Sequence, residues 1–141
     1  MAALAVAAAG GLTGCSASEA TAADPGPVVP APAAAPFPVQ VGVDEFAGLL
    51  DIPGVQIIDV RTPAEFASGH IAGAVNIPVQ QADFAERVAR LDPSDVYAVY
   101  CRSGNRSRPA VEAMHNAGIT TVYELESGIV GWTSAGRAVT G

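Results

Sequence analysis

Short runs of β-branched residues, each followed almost at once by a helix signal, constrain the fold of this chain most strongly. Residues 55–60 follow a Pro-Gly pair and are typical of a strand buried on both faces. Thr62, Pro63 and Glu65 come directly afterwards and form a capping box with proline at the first helical position. A strand that passes into a helix within two residues favours an α/β domain around a mainly parallel sheet.

The same alternation continues along the chain. Pro109 and Gly118 mark the first turn and the end of a helix that follows an apolar run of valine, tyrosine and alanine. The patterns predict further strands at residues 74–77, 96–100 and 121–124, and further helices at residues 81–90, 107–117 and 129–135.

Composition divides the chain into three parts. Residues 1–15 contain an apolar run and predict an export signal. Residues 16–38 hold six of the eleven prolines and eight alanines, which is typical of an extended tether. Residues 39–141 carry all seven arginines and 12 of the 14 acidic residues, and their number suits one folded domain. We therefore expect the chemistry in residues 39–141.

The export signal ends in Leu-Thr-Gly-Cys at Cys15, and this tetrapeptide resembles the lipobox of bacterial lipoproteins. Its apolar run is shorter than the roughly 20 residues that a membrane-spanning helix needs. The resemblance implies that Cys15 is the lipidation site and holds an exported protein on the extracytoplasmic face of a cell-envelope membrane. The alternative is an alanine-rich leader in which Cys15 is incidental.

The charge balance excludes several classes of protein. Fourteen acidic residues, seven arginines and no lysine give a formal net charge of -7, which argues against nucleic acid as a partner. Without lysine, chemistry that depends on a lysine amine is excluded. The sequence contains neither the glycine pattern of a dinucleotide-binding site nor that of a nucleotide-phosphate loop, so no cofactor is expected. Two cysteines and two histidines are too few and too scattered for a structural zinc site, so no metal is expected.

Cys101 stands where chemistry is expected in such a fold. It follows the predicted strand at residues 96–100, and ligands of open parallel sheets gather at the carboxyl ends of the strands. Residues 101–107 can form a nest of backbone N–H groups at the start of the next helix, with Gly104 and Asn105 accepting a left-handed backbone. The sequence thus predicts an anion-binding loop around a cysteine.

Positive charge collects around this loop. Arg102, Arg106 and Arg108 occur together, and no acidic residue lies between Asp95 and Glu112. Such a field favours the thiolate, the nucleophilic form of cysteine. The alternative is a small buried cysteine with three solvated arginines on a helix face.

Several separated motifs resemble the successive signatures of a rhodanese domain. They are residues 57–61, Glu65-Phe66, residues 69–78, the Cys101 loop and residues 128–132. The resemblance implies a rhodanese-like α/β fold, a mainly parallel five-stranded sheet flanked by helices. It also implies a sulfurtransferase in which Cys101 becomes a persulfide. Ser127 departs from the family, which usually has a second glycine before the last helix.

The resemblance also implies roles for single residues. Cys101 would attack the outer sulfur of a small anionic donor such as thiosulfate and pass that sulfur to cyanide or a thiol. Asp59 and Arg61 are expected to order the neighbourhood of the loop, and His70 is expected to be structural. The donor-binding residues would be Arg102, Ser103, Gly104, Asn105, Arg106 and Ser107.

Two other readings remain open at the level of sequence. A cysteine-dependent phosphatase or arsenate reductase can use the same fold, but the resemblance associates that chemistry with five residues between cysteine and arginine. Here four residues separate Cys101 from Arg106, which suits a sulfur atom better than phosphate. The other hypothesis is a binding module without turnover. A sulfur carrier that receives persulfide sulfur from a protein partner would keep Cys101.

Overall fold

The computed structural model describes residue 10 and residues 37–141. The predicted export signal, Cys15 and most of the proline-rich tether therefore lie outside the described residues. Among the described residues, the helices lack the length and hydropathy that a membrane-spanning segment requires.

Strands and helices alternate strictly in the described domain. The strands are β1 (Val39–Val41), β2 (Val55–Asp59), β3 (Val75–Asn76), β4 (Val96–Tyr100) and β5 (Val122–Leu125). The helices are α1 (Val43–Leu50), α2 (Pro63–Ala67), α3 (Phe84–Ala89), α4 (Ser107–Asn116) and α5 (Gly128–Ser134).

The five strands form one sheet in the order β1-β5-β4-β2-β3, and every neighbouring pair is parallel. The predicted five-stranded parallel sheet is confirmed. All strands end at the same edge, and β4 lies at the centre of the order. The residue that follows β4 is Cys101, so the sheet places it in the middle of that edge.

Helices cover both faces of the sheet because β4 presents alternate side chains to two buried clusters. Tyr97 and Val99 pack with residues of α3 and α4 on one face, and Cys101 belongs to this cluster. Ala98 and Tyr100 pack with residues of α1 and α5 on the other face. Cys101 is thus held by the core as well as by its loop.

Two elements of the structure are absent from the segment-by-segment prediction. β1 has three residues, too few for a periodic pattern, and is ordered by parallel pairing with β5. α1 begins after Gly42, whose N–H donates to the Glu45 carboxylate at 3.2 Å, and buries Phe46. Both elements depend on contacts with distant residues, which a local pattern does not contain.

The last two residues assigned to the tether take part in the fold. Phe37 is half-buried against the cluster that contains α4, and its ring centroid lies 4.7 Å from that of His115. Pro38 leads directly into β1 and is also half-buried. Packing of the domain therefore extends to Phe37, two residues before the boundary drawn from composition.

Candidate active site

The Cys101 sulfur lies inside the loop that joins β4 to α4. The residue is fully buried, and its thiol forms no disulfide with any residue in the described part of the chain. The backbone N–H of Gly104 donates a hydrogen bond to Sγ at 3.0 Å, and the Ser107 hydroxyl oxygen lies 3.6 Å from the same atom. Both groups can donate to a sulfur anion, so the loop is arranged to hold negative charge on Sγ.

Two glycines let this loop press against the backbone of the β5–α5 turn. Gly104 has φ +87°, and a Cβ there would lie 2.1 Å from the Glu126 carbonyl oxygen. Gly128 has φ +59°, and a Cβ there would lie 2.5 Å from the Arg102 carbonyl group. No side chain fits at either position, because the backbones are in direct contact.

The first amides of α5 complete this contact. The N–H groups of Ile129 and Val130 donate to the carbonyls of Cys101 and Arg102, at 2.9 and 3.1 Å. Ser127, which replaces the expected glycine, precedes α5 in an ordinary right-handed conformation. Its Oγ lies 1.9 Å from where a Cβ on Gly131 would be, so Gly131 provides the room that this serine needs.

Arg106 leaves the loop and pairs with α2. Its guanidinium donates two hydrogen bonds to Glu65, at 2.9 and 2.8 Å. The same carboxylate accepts from the backbone N–H and hydroxyl of Thr62, which caps α2. The Arg106 hydrogen bonds, followed by those of Thr62, outweigh burial and lower the pKa of Glu65 to about 2. Arg106 thus fastens the end of the loop to the start of α2.

Arg102 is placed differently from Arg106. Arg102 is exposed, and its guanidinium takes part in none of the salt bridges found among residues 37–141. Ser103 and Asn105 are exposed beside it, and Gly104 is half-buried. The solvent side of the loop therefore carries an exposed arginine that has no carboxylate partner among residues 37–141, while Arg106 is held by Glu65.

Asp59 and Arg61 form a buried ion pair at the end of β2. The Arg61 guanidinium donates to both carboxylate oxygens, with the shortest distance 2.6 Å, and also to the Gly69 carbonyl at 2.7 Å. Its Cζ lies 5.7 Å from the Tyr100 ring centroid, and burial raises the pKa of Tyr100. The pair connects the strand beside the Cys101 loop to the segment between α2 and β3.

The two histidines lie away from the sulfur. His70 Nδ1 lies 3.0 Å from the Phe66 carbonyl oxygen and its ring stacks on Phe66, while His115 is exposed on α4. Within the described residues, the hydrogen-bond partners of Cys101 Sγ are Gly104 and Ser107. In this part of the chain the cysteine sulfur is therefore supported by an amide and a hydroxyl group rather than by a histidine.

Glu124 is the site residue that the sequence analysis missed. It lies in β5, is buried, and accepts a hydrogen bond from the Ser107 hydroxyl. The available signal was an acidic residue within a predicted strand of a sheet covered on both faces. Charged groups are almost never fully buried without a partner, so that position called for one.

Fold and loop together define an α/β domain with a buried cysteine at the carboxyl end of its central strand. The profile of the Rhodanese-like domain family matches residues 42–135. The chain belongs to this family.

Similar proteins carry sulfurtransferase names. The chain is 36% identical over 109 residues to "Thiosulfate sulfurtransferase 16, chloroplastic" of Arabidopsis thaliana, covering 70% of this chain and 90% of that protein. It is 34% identical over 91 residues to a "Sulfurtransferase" of Allochromatium vinosum, covering 64% and 83%. A rhodanese-related protein of Thermoplasma volcanium has a similar crystal structure, with TM-score 0.64, 30% identity and coverage of 72% and 97%. These likenesses support sulfurtransferase activity in general.

Removing the Glu65 carboxylate should weaken the domain in a pH-dependent way. The folded pKa of Glu65 is about 2 against an ordinary 4.5, so the stabilisation is complete above pH 4.5 and disappears towards pH 2. Glu65→Gln should lower the free energy of unfolding at neutral pH by about 1–2 kcal/mol, because the pair is partly exposed and screened. Denaturant titrations at a series of pH values measure this difference.

Glu86→Gln is the matched control, since Glu86 pairs with Arg90 at the surface and both side chains are about two-thirds exposed or more. It should have a smaller effect. A Glu65→Gln difference that stayed constant from neutral pH to about pH 2 would contradict the assigned pair.

Proposed function

We propose that this domain moves sulfane sulfur from thiosulfate, or a similar anionic donor, to cyanide or a thiol through a persulfide on Cys101. The observation that carries the proposal is the Gly104 N–H, 3.0 Å from a buried Sγ in a glycine-containing loop. An amide aimed at sulfur supports both the thiolate and the anionic persulfide.

The two half-reactions balance without a cofactor. The Cys101 thiolate attacks the outer sulfur of thiosulfate, a new S–S bond forms, and sulfite leaves with the electron pair of the bond that breaks. Cyanide, or a thiolate acceptor, then attacks the outer sulfur of the persulfide. Thiocyanate or the acceptor persulfide departs, and the electron pair of the broken S–S bond returns to Cys101 as its thiolate.

Arg102 and Arg106 have different roles in this proposal. Arg102 is exposed beside the loop, which supports a direct contact with the donor and with departing sulfite. Arg106 was expected to share that contact, but its guanidinium is held by Glu65 at 2.8 and 2.9 Å. We assign Arg106 mainly to holding the loop in shape.

Cys101 should gain and lose one sulfur atom. Thiosulfate should add the mass of a single sulfur to this residue, and cyanide should remove it as thiocyanate. Intact-mass analysis with peptide mapping measures both steps, and Cys101→Ala should abolish them because the nucleophile is gone. Full activity in Cys101→Ala, or hydrolysis of aryl phosphates in place of sulfur transfer, would overturn the proposal.

Arg102→Ala should impair use of the anionic donor. Loss of a charge-assisted hydrogen bond corresponds to a decrease in kcat/KM for thiosulfate of about 10-fold or more. Arg108→Ala removes an equal charge from an exposed position further along α4 and should cost less than about threefold after screening by salt. Steady-state kinetics with thiosulfate compares the two variants. Equal losses of kcat/KM would contradict a direct contact of Arg102 with the donor and would indicate only the overall positive charge around the loop.

For the cellular setting, we propose that the full-length protein is held at the extracytoplasmic face of a membrane through lipidated Cys15, as the Leu-Thr-Gly-Cys sequence suggests. Lipid on Cys15 would also leave Cys101 without an intramolecular disulfide partner in an oxidising compartment. This keeps the reactive thiol available.

Expression of the full-length gene followed by detergent phase separation tests the anchor. The chain should enter the detergent phase with its mature N-terminus at a modified Cys15, and Cys15→Ser should stay in the aqueous phase because the lipid cannot attach. Unmodified Cys15 in the aqueous phase would refute the anchor and leave the sulfur chemistry intact.

A further inference from the structure

Glu124 is a buried carboxyl group with an unusual set of neighbours. It is 1% exposed in β5, and its two oxygens meet the Ser107 hydroxyl and the Gln40 side-chain amide, the latter at 3.4 Å. Among the described residues, no arginine or histidine forms a salt bridge with it. A buried carboxylate without a cation is costly, so a second role is needed to explain it.

Ser107 connects this carboxyl group to the reactive sulfur. Its hydroxyl group faces three acceptors, which are the Glu124 carboxylate, Cys101 Sγ at 3.6 Å and the Gly104 carbonyl oxygen at 3.0 Å. A hydroxyl has one hydrogen, so it cannot donate to all three neighbours at once. The direction of the hydrogen bonds therefore depends on where the nearby protons are.

We propose that Cys101 and Glu124 share one proton through Ser107. In one arrangement the thiol donates to Ser107, which donates to the carboxylate. In the other arrangement the carboxylic acid donates to Ser107, which donates to the thiolate together with the Gly104 amide. The transfer passes one proton along the chain, leaves one negative charge on the pair, and needs no other reactant.

This arrangement gives a buried thiol a place to send its proton. Loss of the shared proton would put two anions close together in the core, so it should require a higher pH than the loss that leaves the pair singly protonated. Glu124 acts through Ser107 and does not touch the sulfur, so it is a positioning residue. The inference rests on the proposed function, because it concerns the same cysteine.

Other charged groups face the pair and set its surroundings. Glu124 lines a cavity of about 520 Å³ together with Arg108, Glu112 and His115 of α4. Arg106, in the same loop, interacts electrostatically with Cys101 and with Asp59. Asp59 is itself paired with Arg61. Histidine as a residue type is the usual source of pH dependence near neutrality, so the test includes a variant of His115.

The test is the rate of Cys101 alkylation by iodoacetamide as a function of pH, in the full chain, with peptide mapping to separate Cys101 from Cys15. In the native chain the rate should rise in two steps with a plateau between them, because the doubly protonated pair loses its first proton at a lower pH than the shared proton that remains. Glu124→Gln keeps the size of the side chain but cannot hold the proton. Its profile should therefore contain one step, rising about tenfold per pH unit below the midpoint.

His115→Gln should keep both steps. A single step in the native chain, two steps in Glu124→Gln, or loss of a step in His115→Gln would each overturn the shared proton. Alkylation needs no sulfur donor, so a chain that shows both steps but takes no sulfur from thiosulfate would refute the proposed function alone.

A reciprocal measurement covers the case in which Glu124→Gln does not fold. Carbon NMR of the Glu124 carboxyl group should show two titration steps in the native chain and one in Cys101→Ser, because the thiol partner is removed. A titration that is the same in the two chains would overturn the proposal.

Discussion

The hydrogen bond from the Gly104 amide to Cys101 Sγ, at 3.0 Å, is the interaction that the rest of this structure supports. It requires the loop to turn back towards its own first residue, and Gly104 allows this with φ +87° while touching the Glu126 carbonyl. The parallel sheet provides the other half of the arrangement, because β4 delivers Cys101 to the centre of the edge at which all strands end. The Cys101 sulfur is thereby buried without losing hydrogen-bond donors.

One buried ion pair and one partly exposed ion pair stabilise the edge of the sheet at which the strands end. Asp59 and Arg61 are buried, and several hydrogen bonds join their side chains at the end of β2. The good geometry of these hydrogen bonds offsets the free energy lost when the two charges leave water. Arg106 and Glu65 are partly exposed and attach the loop to α2. Positive charge near the sulfur thus serves two purposes, since one arginine holds the loop while Arg102 remains open to solvent.

Much of this arrangement could be predicted from the sequence because the signals are local. The capping box at Thr62, the strand before Cys101 and the glycine in its loop each act within a few residues, and the structure contains all of them. The partner of Arg106 lies 41 positions away, and the contact between Ser107 and Glu124 spans 17. Such contacts follow from the order of strands in the sheet, as do β1 and its pairing with β5, so no local pattern reveals them.

A crystal structure of the thiosulfate-treated domain would show whether Cys101 receives the donor's sulfur. Transfer through a Cys101 persulfide predicts one additional sulfur atom bonded to Sγ, within hydrogen-bond distance of loop amides, with the Arg106 guanidinium still bound to Glu65. An unmodified Cys101, or added sulfur on another residue, would contradict it.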